Sequence, residues 1–224
     1  MKNNTERSLK SLNLKWLVGL ALLDIFVVVL VTVPDIITTA SMSQLVVERM
    51  LATAVLPVVV LLLAGLLPHN VKAMLIYWKV NNVLPGCQAF TKHSPADGRI
   101  DMAMLKKNVG EFPTEPAEQN SKWYKLYKMV ANDLEVVEAH KMYLLYRDMA
   151  ALSLLLIVLV PLGLYFFRTS TSALWIACGL LILQYVVTAL GARHSGVRLV
   201  CNVLAIHSTK KVTAPKSGAG QPIP

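Results

Sequence analysis

The stretch LVGLALLDIFVVVLVTV, residues 17–33, decides the fold of this chain. Every residue in it is apolar or small except Asp24 and Thr32. A helix that crosses about 30 Å of hydrocarbon needs roughly 20 mostly apolar residues. This run, extended to residues 16–38, therefore predicts a transmembrane helix that carries a carboxylate near its middle.

Three further runs reach a similar length and composition. Together with the first, they predict four transmembrane helices at residues 16–38, 50–67, 149–167 and 173–192. Hydrocarbon offers no partners to backbone amides, so a spanning segment must be a helix or part of a closed barrel. The runs are continuous and lack the alternation of barrel strands, and the chain is 55% hydrophobic with only 16% charged residues. We therefore expect an all-α polytopic membrane protein.

The positions of the basic residues predict the orientation in the membrane. Of the 22 lysines and arginines, 20 lie before span one, between spans two and three, or after span four. Only Arg49 and Arg168 fall in the two short connections. The positive-inside rule therefore places both termini and residues 68–148 in the cytoplasm, with a bacterial inner membrane as the simplest location. The net charge of +9 also predicts attraction to anionic lipid headgroups.

This topology divides the chain into four parts. Residues 1–67 hold an N-terminal cytoplasmic segment and the first hairpin of spans, and residues 149–192 hold the second hairpin. Residues 68–148 form a cytoplasmic helical domain between the hairpins. Residues 193–224 form a cytoplasmic amphipathic segment followed by a tail rich in proline and glycine, which we expect to be disordered.

Start and stop signals predict three helices in the cytoplasmic domain. Ser94-Pro95 is a typical helix start, and this helix should end at Gly110. Residues 114–116, Thr-Glu-Pro, start a second helix. A third begins near Asn132 and runs without a breaker into span three, so one helix is expected to join the cytoplasmic domain to the membrane.

Two segments next to the spans leave alternatives open. The apolar residues of 71–78 recur at helical spacing, which fits either a helix in the lipid headgroup region or a helix that caps a cytoplasmic core. The segment after Ala192 either continues the fourth helix past Gly196 or forms a separate amphipathic helix on the inner leaflet.

No short motif in the sequence names a reaction. The chain lacks nucleotide-binding glycine loops, a hydrolase nucleophile elbow and a paired-histidine metal motif, and its three cysteines lie far apart. The five histidines are scattered, which favours structural roles over a metal site. Most cytoplasmic carboxylates lie where helix N-termini favour negative charge. We therefore expect no metal, no cofactor and no enzymatic activity.

Four polar side chains inside the predicted spans are the first candidate site. They are Asp24 in span one, Ser153 in span three, and Gln184 and Thr188 in span four. An ionisable residue at membrane depth is a functional candidate by default, and a structural bond between helices is the plain alternative. A rise of about 1.5 Å per residue puts Asp24 and Gln184 at a similar depth. We therefore expect Asp24 to face protein and to hydrogen-bond Gln184 or Thr188.

Three aromatic side chains form the second candidate site. Trp123, Tyr124 and Tyr127 alternate with three lysines, which superficially suggests a nucleic-acid surface. Residues 68–148 carry 11 basic and 9 acidic residues, so their charge nearly cancels and no nucleic-acid partner is expected. The spacing favours an amphipathic helix whose aromatic face is turned toward a core. The same face is the candidate surface for a cytoplasmic protein partner.

These observations lead to three hypotheses for the function. The first is a non-enzymatic, homo-oligomeric membrane protein whose cytoplasmic domain docks a partner or senses a signal. Small residues such as Ala173 and Ala177 would permit close contact between copies. The second is a channel or pore-forming effector in which Asp24 or Gln184 lines a water-filled path. The third is a small membrane enzyme or transporter, which ranks last because the sequence shows no catalytic constellation and no broken-helix repeat.

Overall fold

The computed structural model describes residues 4–38, 55, 59–60, 62–166 and 170–210, and for the first helix the side chains of residues 12–30. The described residues form helices and turns with no strand among them, which confirms the all-α class. The longer helices are, in chain order, α1 Asn4–Thr38, α2 His69–Tyr77, α3 Met102–Val109, α4 Pro116–Val130, α5 Leu134–Phe166 and α6 Thr171–Thr209. Between α2 and α3 lie a 3₁₀ turn, a π turn and a short helical turn: Pro85–Gln88, Ala89–His93 and Ser94–Ala96.

Three of the described helices are long and apolar enough to cross a membrane. The qualifying segments are Leu12–Leu30 of α1 and the whole of α5 and α6. Their outward side chains are large and apolar: Phe26 is 62% exposed and Trp175 is 70% exposed. Half of the predicted second span, 50–67, lies outside the described residues, and Arg49 and Arg168 of the short connections lie outside them as well. Four spans in two hairpins therefore stay a prediction.

Helices α5 and α6 extend well beyond the predicted spans. Helix α5 has 33 residues and α6 has 39, whereas about 20 residues suffice to cross the hydrocarbon. Helix α5 begins two residues after Asn132, as the start signal there predicts, and it continues through Pro161 without a break. Helix α6 continues past Gly196, which selects the continuous fourth helix over a separate amphipathic one.

One compact unit, unit 1, consists of described residues within Met1–Val80 and Lys141–His194. Its apolar core includes Val28 of α1, Leu156 of α5 and Leu181 of α6. A second cluster fixes α2. Ile76 is fully buried there against small residues of α5 and α6, which let the helices approach closely: Ala150, Ala189 and Ala192.

The second compact unit, unit 2, consists of described residues within Asn81–His140 and Ser195–Pro224. It buries Leu105 of α3, Val136 of α5 and Leu204 of α6 completely. Full burial of such a side chain contributes about 1.5–3 kcal/mol. Unit 2 therefore has an apolar core of its own. The predicted helix end at Gly110 and the helix start at residues 114–116 are both confirmed in this unit.

The predicted continuous helix from Ser94 to Gly110 is wrong. Only one helical turn forms there, and α3 begins after Asp101. The Asp97 carboxylate accepts from the backbone N–H and from the guanidinium of Arg99, at 3.1 and 2.7 Å. Such a local side-chain bond favours a turn over a continued helix. Asp101 then caps α3 by accepting from two backbone N–H groups of its first turn.

Candidate functional site

The first candidate site joins α1, α5 and α6 inside unit 1. Asp24 of α1 is only 3% exposed, and its carboxylate lies close to the side chain of Gln184 of α6. Gln184 Nε2 donates to the Oγ atom of Ser153 on α5 at 3.0 Å. Ser153 Oγ in turn donates to the backbone carbonyl of Met149 at 2.9 Å. A chain of polar contacts therefore links the three apolar helices.

Two atoms at this site take no part in the polar contacts between the helices. The Thr188 hydroxyl turns to its own helix and donates to the backbone carbonyl of Gln184 at 2.8 Å. The Asp24 Oδ2 atom is buried and has no hydrogen-bond partner among the described residues. A buried acceptor without a partner costs about 1–3 kcal/mol, whereas a hydrogen bond between membrane helices contributes on average only about 0.6 kcal/mol. A purely structural role therefore does not account for the second carboxylate oxygen.

The second candidate site separates into a buried part and an exposed part. Tyr127 is 8% exposed, belongs to the unit 2 core, and has its hydroxyl 3.0 Å from Nδ1 of His140. Trp123 is partly buried and stacks on Tyr127 with ring centroids 5.6 Å apart. Tyr124 is 49% exposed, and the Lys128 ammonium lies 4.9 Å from its ring centroid. Of the three aromatic residues, only Tyr124 offers a largely exposed ring to a partner.

A third site lies beside α2, around the dipeptide Arg147-Asp148 of α5. Asp148 Oδ1 accepts from Nζ of Lys72 at 3.0 Å and from Nε and Nη2 of Arg147 at 3.0 and 2.9 Å. The side chains of Lys72 and Arg147 are only 8% and 5% exposed. Arg147 Nη1 also lies 2.7 Å from Nδ1 of His69. Two buried cations therefore share one carboxylate oxygen, and the group is net positive.

Arg193 of α6 holds the C-terminal end of α2. Its Nε donates to the backbone carbonyl of Ile76 at 2.6 Å, and its guanidinium carbon lies 3.7 Å from the ring centroid of Trp78. Trp78 Nε1 donates to the Tyr185 hydroxyl at 2.9 Å, and that hydroxyl donates to the carbonyl of Leu75 at 2.6 Å. These bonds attach α2 to α6 through polar groups as well as through the alanine contacts.

The sequence holds only a partial signal for this third site. Its basic and aromatic residues lie close to the ends of the predicted spans, where each of them is an ordinary boundary residue. Which of them meet depends on how α2 packs on α5 and α6. No spacing rule gives that arrangement, so the sequence does not single out Lys72, Tyr77, Tyr143 or Arg193.

Unit 2 also carries an open groove of about 540 Å³. It is lined by both signs of charge and one aromatic ring: Glu111, Phe112, Pro113, Glu118, Ser121, Lys122 and Lys125. The Lys122 ammonium is already engaged, because it donates to the backbone carbonyl of Glu111. Across the part of the chain that the structure describes, no group of three or more His, Cys, Asp or Glu side chains is placed to hold a metal ion.

Comparisons with known proteins identify no relative of this chain. No protein-family model, no curated protein and no solved structure matches it.

Proposed function

We propose that this chain is a non-enzymatic, homo-oligomeric integral membrane protein whose water-facing helical unit docks a partner protein or senses a signal. The observation that carries the proposal is a difference in surface between the units. Unit 1 exposes large apolar side chains along helices that are long enough to span a membrane. In the described part of unit 2, only Met104, Tyr124 and Leu134 are large, apolar and strongly exposed. The surface of unit 1 suits lipid, and that of unit 2 suits water.

The proposed topology has four spans, with both termini and residues 68–148 on the cytoplasmic side of a bacterial inner membrane. The distribution of the basic residues supports it. The lengths of α5 and α6 support it as well, because each helix has more residues than a span needs and supplies side chains to the core of unit 2.

Cysteine labelling from outside intact cells tests this topology. In a background without the native cysteines, a membrane-impermeant thiol reagent should modify a cysteine at Ser170 and should leave a cysteine at Lys92 unmodified. Both positions are exposed, so a difference between them reports the side of the membrane. Labelling of the Lys92 position in intact cells would overturn the topology, and labelling of both only after lysis would do the same.

The docking part of the proposal is tested at Tyr124, the exposed aromatic ring of α4. A photo-crosslinking amino acid at Tyr124 in living cells should capture a soluble protein. The same amino acid at Tyr165, which is 71% exposed at the end of a predicted span, should capture lipid or another copy of the chain. Capture of only a second copy at Tyr124 would assign the unit to assembly. Equal products at both positions would contradict docking.

Assembly into a homo-oligomer needs surfaces other than those suggested by the sequence. Ala173 and Ala177 are 5% and 1% exposed, so they pack inside the chain and do not provide a contact between copies. Gly19, Gly163 and Gly179 face open space. A bulky residue at one of these glycines should reduce disulfide or chemical crosslinking between copies if that face is the contact.

A pore is the second candidate function. The observation that favours it is Asp24 Oδ2, a buried carboxylate oxygen without a partner among the described residues, in a helix that is apolar enough to span the membrane. Rings of such side chains line cation pores. The purified full chain should then conduct ions in a planar bilayer, and Asp24→Asn should change the ion selectivity. A chain that inserts but carries no current would exclude this candidate.

A further inference from the structure

Three buried polar groups beside α2 have no acceptor. The hydroxyls of Tyr77 and Tyr143 and the Nη2 atom of Arg193 are all buried, and none has a hydrogen-bond partner among the described residues. They come from three different helices of unit 1, α2, α5 and α6. Tyr143 is only 6% exposed. Each unpaired group costs about 1–3 kcal/mol, so three together call for an acceptor.

Tyr77 and Arg193 lie at the same end of α2, because Tyr77 packs against the cluster that contains Ile76 and Ala192, and Arg193, the residue after Ala192, donates to the Ile76 carbonyl. Burial raises the pKa of the Tyr77 phenol, the nearby Tyr143 phenol adds to that rise, and the Arg193 guanidinium opposes it. The position of Arg193 is fixed independently by its bond to the Ile76 carbonyl and by its stacking on Trp78. The guanidinium is therefore held by its Nε edge and its face, and the Nη2 edge is left to bind something else.

The charge around these groups is positive. Lys72, Arg147 and Arg193 contribute three cations, and the neighbouring Asp148 is already shared by Lys72 and Arg147 through a single oxygen. The three unpaired groups are all able to donate, and Arg193 has no acceptor capacity at all. A ligand that satisfies them must present several acceptor oxygens and negative charge.

We propose that Tyr77, Tyr143 and Arg193 bind a phosphate group, and that its source is the headgroup of an anionic membrane phospholipid. The paired guanidinium geometry of arginine suits phosphate oxygens. Basic pockets between membrane helices on the cytoplasmic side are a known location for anionic headgroups. Here α2 directly follows the predicted second span, and Arg193 directly follows the predicted fourth span. This inference rests on the proposed membrane placement. It identifies the sensed signal as an anionic phospholipid headgroup.

The exposed ring of Trp78 forms the outer wall of the site. It is 57% exposed, stacks on Arg193 and is tied to Tyr185 through its Nε1. A headgroup that approaches from the lipid boundary meets this ring first. An indole at that position suits the interface, where its ring contacts acyl chains and its N–H stays hydrogen-bonded.

The test uses the purified full chain in an uncharged detergent. It is titrated with short-chain phosphatidylglycerol, with short-chain phosphatidylcholine as the zwitterionic lipid, and with inorganic phosphate. A specific headgroup site predicts a saturable rise in the thermal unfolding midpoint with phosphatidylglycerol and a much smaller rise with the other two. A rise with inorganic phosphate alone would keep the site and assign it to free phosphate. No rise with any of the three would overturn the proposal.

Two phenylalanine substitutions separate binding from folding. Tyr77→Phe and Tyr143→Phe keep the rings and remove only the unpaired hydroxyls, so the lipid-free midpoint should stay the same or increase. The apparent affinity for phosphatidylglycerol should fall about tenfold in the double variant. Arg193→Gln should also weaken binding. Unchanged affinity in the double variant would show that the hydroxyls do not contact the phosphate.

A matched charge control excludes diffuse attraction. Lys79 is an exposed cation next to Trp78, and Lys79→Gln removes the same charge as Arg193→Gln. Lys79→Gln should leave the lipid response intact. Equal losses in both variants would attribute the response to net charge and would contradict a built site. The lipid titration is done in detergent and does not depend on the orientation of the chain in a membrane. Loss of the lipid response would therefore contradict the headgroup site alone, whereas the labelling at Ser170 and Lys92 tests the topology.

Discussion

In unit 2 the buried amide of Gln119 uses both of its polar ends, whereas in unit 1 the buried carboxylate of Asp24 leaves one oxygen without a partner. Among the described residues, unit 1 holds more of the unsatisfied atoms than unit 2. Of seven buried side-chain polar atoms without a hydrogen-bond partner, five belong to unit 1 and two to unit 2. Those of unit 1 belong to Asn13, Asp24, Tyr77, Tyr143 and Arg193, and those of unit 2 to Asn120 and Trp123.

The satisfied polar groups of unit 2 replace missing backbone contacts. Gln119 is 1% exposed; its Oε1 accepts from the backbone N–H of Phe90 at 3.1 Å, and its Nε2 donates to the carbonyl of Thr114 at 2.9 Å. Asn202 is also 1% exposed and connects the Glu135 carbonyl to the Arg99 guanidinium. Gln119 therefore holds irregular backbone in place, whereas Asn202 joins α6 to α5 and to the Arg99 side chain, and both roles are structural.

The unsatisfied groups of unit 1 call for a different explanation. Of these five residues, only Asp24 lies within a predicted span, where hydrocarbon supplies no water to a buried donor or acceptor. The other four lie outside the predicted spans, but their unpaired atoms are buried in the protein and are shielded from water in the same way. Groups that persist in such a place are better explained by something that binds them, either another copy of the chain or a ligand. The missing partners in unit 1 therefore point to function, whereas the satisfied amides of Gln119 and Asn202 in unit 2 point to the fold.

The largest expected effect tests whether the buried amide of Gln119 stabilises unit 2. Gln119→Leu removes the partners of the Phe90 N–H and the Thr114 carbonyl, at a cost of roughly 1–3 kcal/mol for each buried group left unpaired. Unit 2 should lose protease resistance and unfold at a lower temperature in the full chain. Lys125→Leu, an exposed position on the same helix, should change stability by less than about 0.5 kcal/mol. Equal effects of both substitutions would show that the amide is not structural.

The second prediction tests how tightly unit 1 is packed near its polar end. A Cβ added at Gly191 would lie 2.9 Å from Cδ1 of the Tyr146 ring, whereas Gly179 on the same helix has nothing within 4 Å. Gly191→Ala should destabilise the chain by about 1–3 kcal/mol through overpacking. Gly179→Ala should be neutral or stabilising by up to about 1 kcal/mol, because alanine favours helix. Thermal unfolding in detergent measures both, and a neutral Gly191→Ala would contradict the close contact.

Local sequence properties account for the parts of the fold that could be predicted. Continuous apolar runs predict the long helices that hold the described residues of 16–38, 149–167 and 173–192, because span length depends only on bilayer thickness. The regular rise of a helix relates the depth of Asp24 to that of Gln184, and the structure brings these two side chains together.

Competing and non-local interactions explain what the sequence did not reveal. The continuous helix from Ser94 to Gly110 fails because the Asp97 carboxylate binds Arg99 and forms a turn, and two valid local signals compete there. The phosphate site escapes prediction for another reason. Tyr77, Tyr143 and Arg193 are far apart in sequence, and only the packing of α2 on two other helices brings their polar ends together.

The third prediction concerns pH and a paired carboxylate of unit 2. Hydrogen bonding from the Arg99 guanidinium lowers the pKa of Asp97 from 3.8 to about 2. A carboxylate whose pKa is lower in the folded state stabilises that state above the unfolded pKa and loses this contribution as the pH falls from about 4 toward 2. The Arg99 side chain is 54% exposed, so solvent screening limits the contribution to less than about 1 kcal/mol.

Denaturant unfolding of the full chain at several pH values measures this contribution. Asp97→Asn should remove part of the stability decrease between about pH 4 and pH 2 and should change stability little below that range. Identical pH profiles for the original chain and Asp97→Asn would show that the ion pair contributes nothing measurable.

The smallest expected effect on stability is at Asp24, where we test whether the carboxylate serves function and not the fold. Asp24→Leu loses the contact with Gln184, about 0.6 kcal/mol on average for a hydrogen bond in a membrane, but it also removes the unpaired oxygen, so the two changes partly cancel. Ser153→Ala is the matched control, because it breaks the hydrogen bond between Gln184 and Ser153 and leaves the Asp24 carboxylate unchanged. Both variants should therefore stay folded, within about 1 kcal/mol of the original chain.

The informative substitution is then Asp24→Asn, which keeps the size and a hydrogen-bonding partner for Gln184 and removes only the charge-bearing group. Assembly should survive it, as measured by crosslinking between copies. Lost conductance with intact assembly would make the carboxylate functional and favour the pore over docking. If Asp24→Leu leaves stability, assembly and conductance all unchanged, the carboxylate is dispensable, and its unpaired oxygen does not set unit 1 apart from unit 2.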